Sequence, residues 1–408
     1  MNDSPALRLD PPPFAHDAAL GRIWDALPEA RVVGGAVRDA LLGRPVADID
    51  LATPRPPEQV AEALGKAGIR VVPTGLAHGT VTAVADGRGF EITTLRQDVE
   101  TDGRHAVVAF TADWAADARR RDFTINALSM ARDGSIFDYA GGIGDLRAQR
   151  VRFVGDPAVR IAEDYLRILR YFRFQSRYGQ TPPDDATQAA LRAGIPGLAR
   201  LSIERVWTEL RRVLAAPNPA SGVRLMETLG VLPAVAPELT VAPLAALHLA
   251  GGPPDPILRL VAMLAGGPTI FAERMKLSNE DRDRLIRLRA TPTPEPDADD
   301  ATLRRLLADH RRGDLIDRTW LTGASPELRR RLEALPQPMF PLEGRDVVAL
   351  GINPGPAVGA LLRSVRDWWL RGGAVADRQA CLAELSRQAC AAPPASQDAG
   401  KEVNDAEY

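Results

Sequence analysis

Two short motifs near the N-terminus carry residue types suited to binding a nucleoside triphosphate and a metal ion. Gly34 and Gly35 follow an apolar run and precede a helical pattern, so their backbone N–H groups can approach a phosphate. Asp48 and Asp50 alternate with an apolar residue, which in a strand places both carboxylates on one face, roughly 6–7 Å apart. Two facing carboxylates favour a divalent cation between them, although the same spacing is typical of an acidic strand end or a helix cap.

A third carboxylate and a run of arginines add to this pattern. Glu91 alternates with apolar residues in another predicted strand, where it either completes a set of three acids or faces water at a sheet edge. Three consecutive arginines ending at Arg121 favour contact with anions, and the adjacent Asp122 can accept a hydrogen bond from a ribose hydroxyl. The same cluster is also typical of a solvated helix start.

A second group of charged residues recurs at every third position in the interval 157–178, for which the pattern predicts one helix. Asp164 can accept a hydrogen bond from the exocyclic amine of cytosine or adenine, and Arg167 can donate to cytosine O2 and N3. Uracil presents an N–H where a donor already stands, so such a pair discriminates against it. Arg170 and Arg173 continue the row, which is equally typical of an amphipathic helix with a charged side.

The bulk composition restricts the class of protein. The 408 residues are 45% hydrophobic and contain no apolar run of ~20 residues, so no membrane partner is expected. Cys381 and Cys390 are the only cysteines, which predicts no disulfide partner and favours a cytoplasmic location. The net charge of −2 does not indicate a nucleic-acid-binding protein, but it can conceal a basic face because arginine greatly outnumbers lysine.

Hydrophobic periodicity divides the chain into a mixed first part and a helical remainder. The first part alternates predicted strands with helices at 36–42 and 57–67, which indicates an α/β domain with a mixed sheet. Residues 96–113 are predicted to form a long loop, and residues 291–300 form an acidic, proline-rich linker. The predicted strands are 31–34, 49–53, 70–74, 80–85 and 90–95. After residue 178 the predicted helices are 203–216, 221–229, 256–265, 279–289, 302–312 and 355–369.

The order of the motifs is similar to that of a known family. GGAVRD, DID, EITTLR, RRDFTINAL, DYAGGIGDL and EDYLRILRYFRF follow one another between residues 32 and 216. This series resembles the class II CCA-adding tRNA nucleotidyltransferases and the related bacterial poly(A) polymerases. The resemblance implies an α+β fold, with a polymerase-β-like nucleotidyltransferase head built on a mixed five-stranded sheet, then an all-α neck, body and tail.

The resemblance also implies domain boundaries and site residues. Expected are an N-terminal extension (1–20), head (21–140), base-recognising neck (141–216), body (217–290), linker (291–301), tRNA-binding tail (302–390) and disordered C-terminus (391–408). Asp48 and Asp50 would bind two Mg²⁺ ions, with Glu91 as a third catalytic carboxylate. A hinge is implied at Gly141 and Gly142, and a flexible loop at Asp102, Gly103 and Arg104. The implied nucleotide-binding residues are Gly34, Gly35, Arg38, Arg121, Asp122, Asn126, Asp164, Arg167, Arg170 and Arg173.

The activity implied is addition of CCA to the 3′ end of tRNA from CTP and ATP, with release of pyrophosphate. The alternatives are a poly(A) polymerase, a relative that adds only CC or only A, a non-catalytic RNA-binding relative, and a transferase for a small molecule. The acidic residues 402–408 differ from the basic extension of many poly(A) polymerases, which favours CCA addition. The long helical part, about 200 residues, argues against a small acceptor.

Overall fold

A computed structural model describes residues 3–46, 48–75, 79–101 and 106–391. The chain divides into two compact units, with the boundary between Arg282 and Asp283. The expected flexible loop at Asp102, Gly103 and Arg104 lies outside the described residues, as does the expected disordered C-terminus from residue 392 onward. No helix in the described ranges is long and apolar enough to cross a membrane.

The first unit contains a mixed eight-stranded sheet with the strand order β1-β10-β9-β2-β3-β6-β5-β4. Strands β3 and β6 are parallel, and every other neighbouring pair in this sheet is antiparallel. A separate antiparallel pair is formed by β7 and β8. The bounds are β1 Leu7–Arg8, β2 Arg31–Val33, β3 Asp50–Thr53, β4 Arg70–Gly75, β5 Thr80–Ala85, β6 Arg88–Thr94, β7 Arg96–Thr101, β8 Ala106–Phe110, β9 Leu128–Met130 and β10 Ser135–Asp138.

The mixed sheet followed by helices confirms the predicted fold class, but the expected count of five strands is wrong. All five predicted strands are present as β2 to β6, and β1, β9 and β10 extend the sheet beyond β2. These three strands have only two to four residues, too few for period-two alternation to stand out. The predicted loop at 96–113 instead contains the β7–β8 pair.

Helical residues such as Leu20 and Leu64 pack with residues of the sheet in one core, and helices are the main elements of the remaining described chain. In the second unit, buried leucines such as Leu303, Leu307 and Leu332 form one core, and Val365, Trp369 and other residues form another. The bounds are α1 Ala18–Ala26, α2 Gly35–Leu41, α3 Pro57–Lys66, α4 Trp114–Arg119, α5 Gly142–Arg147, α6 Pro157–Glu163, α7 Leu166–Tyr178, α8 Asp185–Ala193, α9 Ile203–Leu214, α10 Pro219–Thr228, α11 Val231–Val235, α12 Ala242–Leu249, α13 Pro256–Met263, α14 Pro268–Arg274, α15 Asn279–Ala290, α16 Asp300–Asp309, α17 Arg312–Leu321, α18 Pro326–Ala334, α19 Gly344–Val348, α20 Pro356–Arg371 and α21 Arg378–Ala391.

The single helix predicted over 157–178 is wrong, because the chain breaks between α6 and α7. Asp164 is extended at φ −154° and ψ 109°, and its carboxylate accepts a hydrogen bond from the Leu166 N–H at 3.0 Å. An aspartate that caps the following helix competes with continuation of the preceding one. Asp164 therefore stands at the start of α7 rather than within it, and the three arginines of the row follow on α7.

An aromatic cluster fixes α7 beside the sheet. Phe123 and Phe153 come from the segments on either side of β9 and β10, and their rings lie 4.9 Å apart between centroids. Phe174 of α7 lies 5.0 Å from Phe123, and Tyr171 stacks on Phe153 at 5.6 Å. All four side chains are buried, so this packing sets where the arginines of α7 stand relative to the sheet.

The segment of the expected hinge is tightly packed. The Asp138 carboxylate accepts hydrogen bonds from four successive backbone N–H groups, those of residues 140 to 143, at 2.8–3.1 Å. Gly141 has φ +80°, and a Cβ atom on Gly142 would lie 2.2 Å from the Thr124 carbonyl oxygen. Both glycines therefore meet local steric demands. Their role as a hinge remains a prediction.

We expect Gly142→Ala to lower the free energy of unfolding by about 2 kcal/mol, because the added methyl must displace the Thr124 backbone. Gly144→Ala in the same helix is the matched control, since a Cβ there meets nothing within 4 Å. We expect this control to leave stability unchanged or raise it by up to about 1 kcal/mol. Urea unfolding of both variants measures the difference, and equal effects would contradict the close-packing argument.

Candidate active site

The diglycine turn lies directly beside the first acidic strand. Val33 at the end of β2 pairs with Asp50 at the start of β3. The next residue, Gly34, has φ +69°, and α2 begins at Gly35. A Cβ on Gly34 would come within 3.3 Å of an Arg121 nitrogen, so glycine leaves room for the guanidinium to approach the turn.

Strand register brings the predicted carboxylates to one edge. Leu51 of β3 is beside Ile92 of β6 in a parallel pair, which places Asp50 beside Glu91 one residue earlier. Asp48, Asp50 and Glu91 line one groove of about 370 Å³. The pKa of Asp50 is raised above its ordinary value by burial and by the charges of Glu91 and Asp48, with Arg121 opposing the shift. A cation bound among the three carboxylates would relieve the repulsion between them.

The donor set fits a metal ion that arrives with a phosphate ligand. None of the three carboxylates has a hydrogen-bonding or ion-pairing side chain among the described residues. Within the same residues, no three Asp, Glu, His or Cys side chains form a group that could hold a metal ion by themselves. Mg²⁺ is commonly held by one or two carboxylates together with substrate phosphates and water. Asp48 and Asp50 therefore suit this shared mode of binding.

A cleft of about 600 Å³ adjoins the acidic edge and collects most of the predicted site residues. Asp48 lies in the adjoining groove, and Arg173 lines a neighbouring cavity instead. Gly141 and Gly142 are not among the residues that line the cleft. The predicted residues that do line it are Gly34, Gly35, Arg38, Asp50, Glu91, Arg121, Asp122, Asn126, Asp164, Arg167 and Arg170.

A buried polar chain crosses from α2 to α7 along the wall of this cleft. Arg38 donates to the Asn126 side-chain oxygen at 2.6 Å, and the Asn126 amide donates to Asp122 at 3.0 Å. Arg170 binds the other oxygen of Asp122, with Nε at 2.7 Å. Burial alone raises the pKa of Asp122, but the charge of Arg170 and the hydrogen bonds outweigh it, so this pKa lies below its ordinary value. The chain of contacts holds the Arg170 guanidinium at the cleft.

We expect Asp122→Asn to lower the free energy of unfolding at neutral pH by about 3 kcal/mol, because it leaves the Arg170 charge without its buried partner. The stabilisation by Asp122 is present above the unfolded-state pKa and is lost as the pH falls through the lower folded-state pKa. Below about pH 4 the stability of the variant should therefore fall less steeply than that of the wild type.

Urea unfolding between pH 2.5 and 7 checks this expectation. Arg170→Ala and the double variant complete a double-mutant cycle, in which the two single losses should not add. Parallel pH profiles for the wild type and Asp122→Asn, or additive losses, would contradict the paired role of Asp122.

Asp117 is a site residue that the sequence interpretation missed. Its buried carboxylate binds Arg120, at 2.7 Å, and Arg121, at 3.2 Å, both of which line the cleft. Burial raises the pKa of Asp117, but the two arginines outweigh it and lower that pKa. Asp117 precedes Arg120 by three residues and Arg121 by four, and this helical spacing is the sequence signal that could have identified it. Asp117 thus makes it possible for two guanidinium groups to stand side by side.

The two predicted base-reading residues have separate partners. Asp164 accepts from Arg205 of α9 at 2.9 Å, and Arg205 also lines the cleft. Arg167 uses Nη1 to bind the Glu163 carboxylate and to donate to the Arg160 carbonyl at 2.8 Å. Arg205 lies 41 residues from Asp164 in the chain, and no local pattern relates the two.

Arg173 does not line the cleft. It pairs with the buried Glu209 of α9 at 3.2 Å and lies over the Phe174 ring at 4.7 Å. Burial lowers its pKa to about 10, with Glu209 opposing the shift and the charge of Arg170 adding to it. The contact of Arg173 with the nucleotide phosphates remains a prediction. In the structure Arg173 lines a cavity next to the cleft.

Comparison with known proteins places this site in a family. Residues 30–152 match the family model "Poly A polymerase head domain", and residues 183–242 match "Probable RNA and SrmB- binding site of polymerase A". The chain is 37% identical over 379 residues to the mitochondrial CCA tRNA nucleotidyltransferase 1 of Mus musculus, covering 88% of this chain and 87% of the relative. The chain belongs to the class II CCA-adding enzyme family. Members of this family are nucleotidyltransferases that use a divalent metal ion.

Two further members of the CCA-adding family extend the comparison to bacteria. The CCA-adding enzyme of Lacticaseibacillus paracasei is 33% identical over 368 residues, with 85% of this chain and 89% of the relative covered. The crystal structure of the Bacillus stearothermophilus CCA-adding enzyme in complex with CTP superposes with a TM-score of 0.72 at 30% identity. That superposition covers 94% of this chain and 99% of the other, so the family fold extends over nearly the whole length.

Proposed function

We propose that the protein adds C, C and A to the 3′ end of tRNA, using CTP and ATP and releasing pyrophosphate. The observation that carries the proposal is the convergence of two sets of residues in one cleft. The acidic strand edge with Asp50 and Glu91 stands at one side, and Asp164 and Arg167 of the α6–α7 junction stand at another. A site that transfers nucleotides and selects their bases without a template needs both sets together.

Asp48 and Asp50 are proposed to hold two Mg²⁺ ions, with Glu91 as the third carboxylate. When bound, the ions shield the triphosphate and lower the pKa of the attacking 3′ hydroxyl. The protein supplies the groups around them. Arg120 and Arg121, fixed by Asp117, face the cleft and can pair with phosphate oxygens.

Asp122 and Asn126 face the cleft at the level of the diglycine turn and are proposed to lie near the ribose. Asp122 accepts four hydrogen bonds, from the Phe123 N–H and the Asn126 amide on one oxygen and from Nε and Nη2 of Arg170 on the other. These fill the acceptor sites of the carboxylate, so a ribose hydroxyl bonded to Asp122 would replace one of these donors. Gly34 and Gly35 present backbone beside the same space. Arg38 also lines the cleft. It donates to Asn126, and this hydrogen bond helps to orient the Asn126 and Asp122 side chains.

Arg167 and Asp164 are proposed to read the base. Arg167 lines the cleft, and among the described residues only its Nη1 is engaged, by Glu163 and the Arg160 carbonyl, which leaves Nε and Nη2 as further donors. Asp164 keeps acceptor capacity beside its bonds to Leu166 and Arg205. Donors from Arg167 match cytosine O2 and N3, and an acceptor from Asp164 matches an exocyclic amine.

The remaining assignments are also proposals. Relatives named as CCA tRNA nucleotidyltransferases match 88% of this chain, which supports tRNA as the acceptor here. We propose the head at 21–140, the neck at 141–216, the body at 217–290 and a tRNA-binding tail at 302–390. Both cysteines are free, which fits a reducing compartment, and we propose the cytoplasm.

The test is incorporation of labelled nucleotides into tRNA that lacks its 3′ CCA, with products resolved by length and sequenced. We expect two C residues followed by one A, then arrest. Unlimited addition of A without C would identify a poly(A) polymerase, and addition of C alone or A alone a split-activity enzyme. Binding of tRNA without any addition over a range of Mg²⁺ concentrations would favour a non-catalytic relative.

A further inference from the structure

A second cavity of the first unit is basic and lies beyond the cleft along α7. It has a volume of about 630 Å³ and is lined by Arg44, Arg177, His248 and Arg259 together with the glycine loop at 251–252. We call it the distal basic cavity. Among the described residues that line it there is no aspartate or glutamate. A concave site with several cations and no lining carboxylate favours an anionic ligand.

The cations of the distal basic cavity are available for a ligand. Arg44 and Arg177 are exposed, and neither forms an ion pair with any carboxylate in the described part of the chain. Both guanidinium groups lie against the Tyr178 ring, at 5.0 and 5.6 Å from its centroid. This aromatic support restricts the two side chains without neutralising them.

The floor of the cavity carries a buried charge. Arg259 is 2% exposed and donates from Nη1 to the carbonyl oxygens of Leu214 and Ala216, at 2.5 and 2.7 Å. No described carboxylate forms an ion pair with it, and burial lowers its pKa while Asp255 opposes that shift. Carbonyl groups orient Arg259, but no described carboxylate contacts its guanidinium, so an anion in the cavity would supply a direct partner.

The distal basic cavity is connected to the candidate active site through residues of α7. A cavity lined by Arg173, Arg177 and Arg212 shares Arg38 and Phe174 with the cleft, and shares Arg177 and Ala215 with the distal basic cavity. At a rise of 1.5 Å per residue, Arg177 stands about 10 Å along the helix from Arg170.

We propose that the distal basic cavity binds a backbone phosphate of the tRNA acceptor, a few nucleotides upstream of the 3′ end that enters the cleft. The inference rests on the proposed function, because the ligand of the distal basic cavity is taken to be the same tRNA whose 3′ end is extended in the cleft. Phosphate contacts of this kind fix the position of a nucleic acid without reading its sequence. They suit an acceptor whose sequence varies while its end must be held in one place.

The test compares Arg44→Gln/Arg177→Gln with the matched control Arg70→Gln/Arg147→Gln, which removes two exposed arginines that line none of these cavities. Binding of tRNA lacking CCA is measured by fluorescence anisotropy without nucleotides, over a KCl titration. We expect the first double variant to bind about tenfold more weakly near 0.1 M KCl and its salt slope to fall by about one, for the loss of one phosphate contact. The control should match the wild type, and CTP affinity should stay unchanged in both.

Equal tRNA affinity and equal salt slope in the two double variants would overturn the inference. So would a change in inhibition by pyrophosphate without a change in tRNA binding, because the site would then take the product. These outcomes can be distinguished from failure of the proposed function. If the proposed function is wrong, the wild-type protein will add neither C nor A to tRNA. The binding titration decides the role of the cavity in either case.

Discussion

Asp50→Asn is expected to reduce nucleotide addition at least about 1,000-fold while leaving the fold and tRNA affinity intact. The carboxylate stands beside Glu91 at the edge of the sheet and is a proposed ligand of the metal ions. Loss of about 4 kcal/mol of metal-dependent stabilisation of the transition state corresponds to this factor. Single-turnover addition of labelled CMP to tRNA lacking CCA measures it.

Asp185→Asn is the matched control, because Asp185 is an exposed aspartate in the first turn of α8, away from the cleft. It should retain full activity. The melting temperature of Asp50→Asn should equal or exceed that of the wild type, since the substitution removes repulsion with Glu91 and Asp48. Retention of most of the activity by Asp50→Asn would contradict the proposed role in metal binding.

Arg167→Ala is expected to reduce selection of CTP over UTP by about 100-fold, because removal of charge-assisted donors to cytosine costs about 2.7 kcal/mol. Folding should be largely preserved, since Glu163 keeps its ion pair with Arg160 at 2.9 Å. The ratio of kcat/KM for CTP to that for UTP, measured with one tRNA, is the quantity to compare.

Arg160→Ala provides the control for this experiment. It removes the other arginine that binds Glu163 but does not line the cleft. We expect its selectivity to remain that of the wild type. An unchanged CTP-to-UTP ratio in Arg167→Ala, or an equal loss in Arg160→Ala, would mean that the base is read by other residues.

The parts of the fold that could be predicted from sequence are those with strong local periodicity. Strands β2 to β6 and helices such as α3 and α9 have clear apolar patterns, and the structure contains all of them. Strands β9 and β10 are short and owe their place to pairing with β2 and with each other, which is a tertiary effect. The break at Asp164 was missed because a capping aspartate and a charged helical residue look alike in a periodic row.

The sequence predicts many of the residues of the candidate site, but not the contacts that these residues make with one another. The sequence predicts Asp50 and Glu91 as site residues on separate strands, and only the parallel register of β3 and β6 makes them neighbours. Asp117 had a local signal in its spacing from Arg120 and Arg121, whereas the pairing of Arg205 with Asp164 depends on the packing of α9 against α7. Long-range ion pairs of this kind leave no trace in local sequence patterns.

The most direct test of the account is a titration of Mn²⁺ by electron paramagnetic resonance, with CTP and a tRNA acceptor whose 3′ terminal nucleotide lacks a 3′ hydroxyl. Mn²⁺ serves here as a paramagnetic substitute for Mg²⁺ at the sites proposed at Asp48 and Asp50. We predict two ions per wild-type chain that depend on CTP, and their loss in Asp48→Asn/Asp50→Asn with the fold preserved. Equal Mn²⁺ binding by the double variant and the wild type would contradict the claim that this acidic edge holds the metal and its nucleotide.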